Sequence, residues 1–458
     1  MDLKDKKVTV VGLGNSGVNA AILLDDAGAR VFATDSQNSS VTRSAAQSLK
    51  KRNIEIEIGG HSEDFFRGSE LVVLSPGVES SSPAVILAGR MNIPIIGEME
   101  LGYRFCRGKI IAVTGTNGKS TVTTLIGQIL KDGGRDALIC GNIGNSLCGE
   151  IPRIKEDTWV ALEVSSFQLE RIEKFKPRIA LILNITDDHM DRYNKFTDYF
   201  SQKVKVFSNQ DENDYLIMNY DAANLRPLNG VARSKTLFFS RTRNASGACV
   251  KNDKITVTPP AGAEKEICGL GDIMLRGLHN VENVLASSLA AVIAGVDPGS
   301  IRNTVMNFKG LAHRFETVDV IDGVEYIDDS KGTTVDSTYR ALESCQKPVI
   351  LIAGGRDKNS DYSVMSEIFK KKVKALVLIG EARQAIKKVL GRFVSTHEAK
   401  DMFEAVEIAC KISDENQIVL LSPMCSSFDM FSSYKERGEV FQEAVGRIRQ
   451  WRKAESRK

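Results

Sequence analysis

The constraint that most narrows what this chain can be is the run Thr114-Gly115-Thr116-Asn117-Gly118-Lys119-Ser120-Thr121. It follows the apolar stretch Lys109-Ile110-Ile111-Ala112-Val113 and precedes Val122-Thr123-Thr124-Leu125-Ile126. A strand, a glycine loop and a helix start, in that order, build a cradle for phosphate. Main-chain N–H groups of such a loop turn inward, and the helix N-terminus adds partial positive charge. Lys119 is spaced to reach the β- and γ-phosphates, and the hydroxyl of Ser120 or Thr121 to meet Mg²⁺. The strict G-x-x-x-x-G-K-[ST] pattern is not met, because Val113 stands where its first glycine would be. The competing reading is a tight strand-to-helix turn with a surface lysine. Nucleotide binding is the working expectation.

Composition then removes several classes. A chain of 458 residues has room for about three domains. A net charge of +3 is spread along the chain without a basic block, which argues against a nucleic-acid partner and suits small anionic ligands. The eight cysteines occur singly, at positions 106, 140, 148, 249, 268, 345, 410 and 425, with neither C-x-x-C pairs nor metal-ligand spacing. They read as reduced core thiols of a cytoplasmic protein. No apolar run reaches membrane-spanning length, and Met1 leads through Lys4 and Lys7 into a strand pattern, so neither secretion nor a membrane span is expected.

The order of patterns gives an α/β fold in three domains: N-terminal Rossmann-like, central P-loop ATPase-like and C-terminal Rossmann-like. Short apolar runs at 8–11, 30–33, 71–74 and 93–96 alternate with helical patterns and predict a βαβ domain over 1–97. The central domain, 98–297, adds strands at 159–164 and 179–184 and a polar stretch of surface strands and turns around 241–260. The third, 298–458, carries buried-strand runs at 325–327, 349–353, 375–379 and 418–421.

Chemistry-bearing residues gather where strands end. Gly12-Leu13-Gly14-Asn15-Ser16-Gly17 fits G-x-G-x-x-G after a strand, with Asp35 at the end of the next one. A nicotinamide cofactor, the diphosphate of UDP or ADP, and a purely structural turn all fit that pattern. Ser75-Pro76-Gly77 closes a later strand and borders the same crevice, or is a plain turn. Glu163 ends one central strand and His189 follows another, so both are expected beside the phosphate loop. A carboxylate, an imidazole and phosphate oxygens make a reasonable divalent-cation site. His189 alone would read equally well as a surface residue. Asn280 and Asn283 lie three apart on one helical face and suit an adenine edge or a cap. Arg314 and Lys331 suit transition-state phosphate charge, or surface ion pairs worth under about 1 kcal/mol.

Taken together, these segments resemble the Mur ligases, ATP-dependent amide-forming enzymes of peptidoglycan precursor synthesis with three α/β domains. The likeness spans essentially the whole chain. It rests on Val11-Gly12-Leu13-Gly14, Ser75-Pro76-Gly77, the 115–121 loop, Gly141-Asn142-Ile143-Gly144 and the 162–169 segment. It also rests on Asp188-His189-Met190-Asp191-Arg192, His279-Asn280-Val281-Glu282-Asn283, His313-Arg314-Phe315-Glu316 and Asp329-Ser330-Lys331. The resemblance implies that the N-terminal domain holds the UDP of a nucleotide sugar, with Ser16, Asp35, Ser36, Ser75 and Gly77 in its pocket and Asn142 and Ser165 nearer the sugar. It implies ATP on Gly115, Thr116, Asn117, Gly118, Lys119, Ser120 and Thr121, adenine on Asn280 and Asn283, and completion of the site by Arg314, Asp329 and Lys331 from across the cleft. Mg²⁺ would be held by Ser120, Glu163, His189 and Lys203, where the family carries a carbamylated lysine, and Lys119, Glu163, His189 and Lys203 would be catalytic.

The 421–429 segment resembles the branch that adds D-glutamate to UDP-N-acetylmuramoyl-L-alanine through an acyl phosphate, with the branch adding L-alanine to UDP-N-acetylmuramate as the alternative. On that matching D-glutamate falls to Thr333, Lys358, Ser427, Phe428 and Tyr434, and the protein is expected to act as a monomer in the cytoplasm. Two departures stand out. Gly332 and Thr334 replace the family's usual alanine and asparagine, and Ser426-Ser427-Phe428-Asp429 replaces Ala-Ser-Leu-Asp. The first leaves the role of position 334 open.

Overall fold

The computed structural model describes residues 1–52, 54–188, 192–193, 195–357 and 360–455. Its described strands form three sheets, each dominated by parallel pairing. The first is built from β1 (Lys7–Val11), β2 (Arg30–Asp35), β3 (Glu55–Ile58), β4 (Leu71–Leu74) and β5 (Ile95–Gly97), in the order β3-β2-β1-β4-β5. That order reverses beside β1, and such a switch point opens a crevice at the strand carboxyl ends. The central strands β1 and β4 are almost wholly buried. Helices cover both faces of the sheet, with Ala20, Leu24 and Leu49 in one apolar cluster and Phe66, Ala84 and Ala88 in another.

The second sheet contains β6 (Lys109–Thr114), β7 (Ala137–Gly141), β8 (Trp159–Glu163), β9 (Ile179–Ile182), β10 (Tyr215–Asn219), β11 (Lys235–Ser240), β12 (Ala248–Lys251), β13 (Lys254–Val257) and β14 (Lys265–Gly269). Its order is β14-β13-β12-β11-β10-β9-β6-β8-β7, parallel as far as β12 and antiparallel at the β14 edge. The third holds β15 (Glu316–Ile321), β16 (Val324–Asp328), β17 (Val349–Gly354), β18 (Val373–Ile379), β19 (Ser395–Glu398) and β20 (Ile418–Leu421), in the order β15-β16-β20-β17-β18-β19. Among its described strands only the β15 hairpin edge is antiparallel.

Two compact units result: Met1–Ile185 with Lys195–Leu270 and Asn283–Val305, and Thr186–Asn194 with Gly271–Glu282 and Met306–Lys458. The first unit contains the first two sheets, joined through helix Glu98–Phe105, which packs on helix Leu147–Glu150. There the buried Glu98 carboxylate accepts from Cys148 N at 2.9 Å, and Asn19 donates to Ser146 Oγ at 3.1 Å. All eight cysteines are free thiols. Among the described residues no helix is long and apolar enough to cross a membrane.

The β1 turn depends on absent side chains. Gly12 has φ +92°, and a Cβ on Gly17 would stand 1.7 Å from the Gly12 carbonyl oxygen. Backbone cannot give way as a side-chain tip can, so Gly17→Ala is expected to cost about 3 kcal/mol or more. Chemical denaturation should show the lowered midpoint.

Candidate functional site

β6 delivers the phosphate loop. Gly115 and Gly118 have φ +152° and +86°, and Gly118 caps helix Lys119–Asp132 without any side-chain hydrogen bond. Gly118 thus offers no side-chain acceptor at the helix N-terminus, the end at which an anion is favoured. Asn184, just beyond β9, clamps the loop: its carbonyl accepts from Thr116 N at 2.9 Å and its Oδ1 from Asn117 N at 2.8 Å. Its Nδ2 donates back to the Asn117 carbonyl at 3.1 Å. Lys119 folds over the loop, with Nζ 2.8 Å from the Gly115 carbonyl and 2.7 Å from that of Thr116. Ser120 and Thr121 are buried on the first turn.

Beside this loop lie the groups expected to face a cation. The parallel register pairs Val113 with Glu163, so the carboxylate emerges level with the loop. Glu163 is 2 % exposed; its Oε1 accepts from Asn142 Nδ2 at 2.8 Å, and its buried Oε2 has no hydrogen-bond partner. Lys203, also 2 % exposed, sends Nζ to the Gly115 carbonyl at 2.8 Å and lies 4.7 Å from the Tyr199 ring centroid. Lys119 and Lys203 thus share one carbonyl oxygen. Ser165 spends its hydroxyl in a capping box with Gln168. His189 lies outside the described residues.

At the β1 turn, Ser75 Oγ donates to the Gly12 carbonyl at 2.9 Å. Asp35 accepts from Leu13 N at 2.7 Å through Oδ2 and from Gln37 N at 2.8 Å through Oδ1. Its carboxylate is therefore engaged in shaping the turn, which weakens the dinucleotide reading in which it would take a ribose hydroxyl. Helix Asn15–Asp26 begins at Gly14 with no side-chain cap, and a Cβ on Gly14 would meet nothing within 4 Å. Ser16 sits in its first turn, and Ser36 and Gly77 are exposed in loops after β2 and β4.

Helix Leu278–Ile293 carries both asparagines. Asn280 Nδ2 donates to the Arg276 carbonyl at 2.6 Å, while Asn283 Oδ1 lies 2.6 Å from where a Gly118 Cβ would be. Any residue but glycine at 118 would strike it.

In the second unit, the loops after β16, β17 and β20 meet. Met424 N donates to the Gly332 carbonyl at 3.0 Å, and Arg356 N to that of Ser426 at 2.9 Å. Lys331 Nζ stands 3.9 Å from the Tyr434 ring centroid. Asp329 accepts from Ser422 Oγ at 2.8 Å and Phe315 N at 3.2 Å. Burial pushes its carboxyl up to about 7, the Ser422 hydroxyl acting against that and Asp328 with it. Arg314 lies between His313 and Phe315 on the adjoining loop. Ser427 is buried and Phe428 is 63 % exposed. Thr333 follows Lys331 in a turn closed by its N–H to that carbonyl at 2.8 Å. Lys358 lies outside the described residues.

Three family models match in sequence: the MurD-like N-terminal domain of Mur ligases over 6–97, the Mur ligase middle domain over 113–291, and the glutamate ligase domain of Mur ligases over 313–425. A UDP-N-acetylmuramoylalanine–D-glutamate ligase from Koribacter versatilis is 42 % identical over 98 % of this chain and 99 % of its own. The chain belongs to the Mur ligase family. Among solved structures, a UDP-N-acetylmuramate-alanine ligase from Thermotoga maritima aligns with TM-score 0.60 at 19 % identity, covering 96 % of this chain and 99 % of that one. A MurF ligase from the same organism, in complex with ADP, aligns with TM-score 0.60 at 13 % identity over 92 % of this chain and 96 % of its own. Both likenesses are of fold.

Within this Mur ligase the departures at 332 and 334 have local causes. A Cβ on Gly332 would stand 2.5 Å from Asp329 Oδ2, and Thr334 accepts from Ser337 N as the cap of helix Val335–Ser344. Threonine, like asparagine, is a favoured N-cap residue, so position 334 has a structural role here. Asn184, Tyr199 and Arg437 carried no signal that sequence reasoning used. Arg437, 1 % exposed, donates to the carbonyls of Ser330 and Cys425 and so ties two of the loops together.

The raised Asp329 carboxyl has a measurable sign. Between about 4 and 7 the folded state keeps a proton that the unfolded state releases, so stability falls as pH rises through that window. Asp329→Asn should remove up to about 1.4 kcal/mol per pH unit of that slope, read from denaturation midpoints at pH 5 and 7.

Proposed function

We propose that this Mur ligase adds D-glutamate to UDP-N-acetylmuramoyl-L-alanine at the expense of ATP, in peptidoglycan precursor synthesis in the cytoplasm. The observation that carries this reading is the 42 % identity, along nearly the full length of both chains, to a ligase named for that reaction. The site chemistry supports it. Polar groups gather at strand carboxyl ends in all three sheets, and we assign them to domains 1–97, 98–297 and 298–458: nucleotide sugar on the first, ATP on the second and amino acid on the third.

On this reading the UDP diphosphate meets the uncapped helix end at Gly14 and Asn15, with Ser16, Asp35, Ser36, Ser75 and Gly77 around it. The ATP phosphates meet the main chain of 115–118 and the hydroxyls of Ser120 and Thr121, and Lys119 exchanges its two carbonyl contacts for phosphate oxygens. Asn280 and Asn283 take the adenine, and Arg314, Asp329 and Lys331 also contact ATP. The unpartnered, buried Glu163 Oε2 beside the loop is the donor a divalent cation requires. Ser120, Glu163, His189 and Lys203, the last as its carbamate, would hold Mg²⁺, which offsets phosphate charge as it shifts to the leaving oxygen.

The alanyl carboxylate oxygen attacks the γ-phosphorus, and the β–γ bridging bond breaks to release ADP. The D-glutamate amine then attacks the acyl carbon, phosphate departs with the bonding pair, and the nitrogen loses a proton to give the amide. Asn142 steadies Glu163 near the sugar and Ser165 borders it. Thr333, Lys358, Ser427, Phe428 and Tyr434 receive D-glutamate, Lys358 supplying a cation for a carboxylate. Holding the reactants and meeting developing charge supply most of the rate.

ATP-dependent phosphate release should require UDP-N-acetylmuramoyl-L-alanine and D-glutamate together. Release only with UDP-N-acetylmuramate and L-alanine would overturn the substrate reading. Lys119→Ala and Glu163→Ala should each lower kcat by about 10²-fold or more. Lys203→Ala should be inactive and partly rescued by short-chain carboxylates, whereas full activity without rescue would remove the carbamate.

A further inference from the structure

Two loop segments of the second unit, 313–316 and 328–331, are joined by three hydrogen bonds, with a fourth closing the first segment on itself. His313 Nδ1 and Asp328 Oδ2 lie 2.7 Å apart, and His313 N donates to Glu316 Oε2 at 2.8 Å. Phe315 N donates to Asp329 Oδ1 at 3.2 Å, and Lys331 N to the His313 carbonyl at 3.1 Å. His313 and Phe315 have φ of +62° and +50°. Arg314 is therefore flanked on both sides by residues in the strained left-handed region, which persists only where the surroundings impose it.

The outside support comes from helix Tyr434–Glu455. Gln442 Nε2 lies 3.0 Å from Asp328 Oδ2 and 3.2 Å from Glu316 Oε2, one carboxylate from each segment, and 3.4 Å from His313 Nδ1. One turn earlier, a Cβ on Gly438 would stand 2.2 Å from His313 Nδ1, so only glycine lets the helix approach closely enough for the amide to reach. Ligand atoms of His313, Glu316 and Asp328 all fall within 4.8 Å of one another, a spacing that also suits a cation. The amide nitrogen already stands against all three, with its two hydrogens matched to the two carboxylates.

We propose that Gln442 is a positioning residue for the nucleotide: by bridging Asp328 and Glu316 it imposes the left-handed turn that aims Arg314 and holds Asp329 beside it. This rests on the reading that Arg314 and Asp329 contact ATP. The full-length variants Gln442→Met, which keeps length and removes the donors, and Gln442→Glu, which sets a third carboxylate against Asp328 and Glu316, test it. Arg314→Ala and Asp329→Asn run beside them. KM for ATP, KM for the nucleotide sugar, kcat and melting temperature are measured for each.

Gln442→Met is expected to raise KM for ATP about tenfold, as lost hydrogen bonds to charged groups would, and Gln442→Glu to raise it more. KM for the nucleotide sugar and the melting temperature should stay near the parent values. A merely structural role would lower the melting temperature or the active fraction with KM for ATP unchanged, and that result in either variant overturns the proposal. Normal ATP kinetics in Gln442→Met beside impaired Arg314→Ala would defeat the positioning role alone. Normal kinetics in Arg314→Ala and Asp329→Asn would defeat the ATP-site reading beneath it.

Discussion

The register of three parallel strands governs this molecule's chemistry. β6 pairs with β8 so that Val113 faces Glu163, and with β9 so that Thr114 faces Ile182. Three chain segments thus leave the sheet within a residue or two of the same level, carrying the phosphate loop, the Glu163 carboxylate and the Asn184 amide. Below that level the strands are apolar and buried, and the ladder satisfies their backbone groups. Above it the chain must turn, and polar groups appear together. A slip of one residue in either pairing would reverse which side chains face the core and move Glu163 away from the loop.

The groups so assembled are incompletely satisfied by one another. Glu163 Oε2 and Thr114 Oγ1 are buried without hydrogen-bond partners, while Lys119 and Lys203 converge on the Gly115 carbonyl. Leaving a buried carboxylate oxygen unpaired costs on the order of 1–3 kcal/mol. Such a cost is small enough to be compatible with a stable domain.

The motifs that survive translation from sequence to structure are those whose physics is local. The 114–121 loop, the β1 turn and the strands at 71–74 and 418–421 could be read because glycine, apolar runs and a following helix constrain only their neighbours. Fold class followed from the order of such units, and the family from the resemblance of the motifs they carry. The edge strands β3, β15 and β19 were not read, since half-polar edges such as Glu55-Ile56-Glu57-Ile58 lack the continuous apolar run of a buried parallel strand, and the apolar runs of β7, β10 and β11 were passed over as well. Site residues acting at long range were also hidden. Asn184 clamps a loop 67 positions away, Arg437 a carbonyl 107 away and Gln442 a carboxylate 114 away. No periodicity connects such pairs. Asp35 shows the converse: its spacing was legible, but the same spacing serves a ribose contact or, as here, the turn's own N–H groups.

Because the outside brace on 313–316 and 328–331 comes from a helix up to 129 positions further along, that brace cannot form as these loops are synthesised. The phosphate loop is clamped from Asn184, 67 positions on, and so waits only for β9 and the residues just beyond it. During translation the nucleotide cradle can therefore mature while the second unit's loops remain unbraced, and those loops gain their left-handed geometry only when Arg437, Gly438 and Gln442 arrive. Order of synthesis thereby becomes order of assembly, with the loops of the second unit completed last.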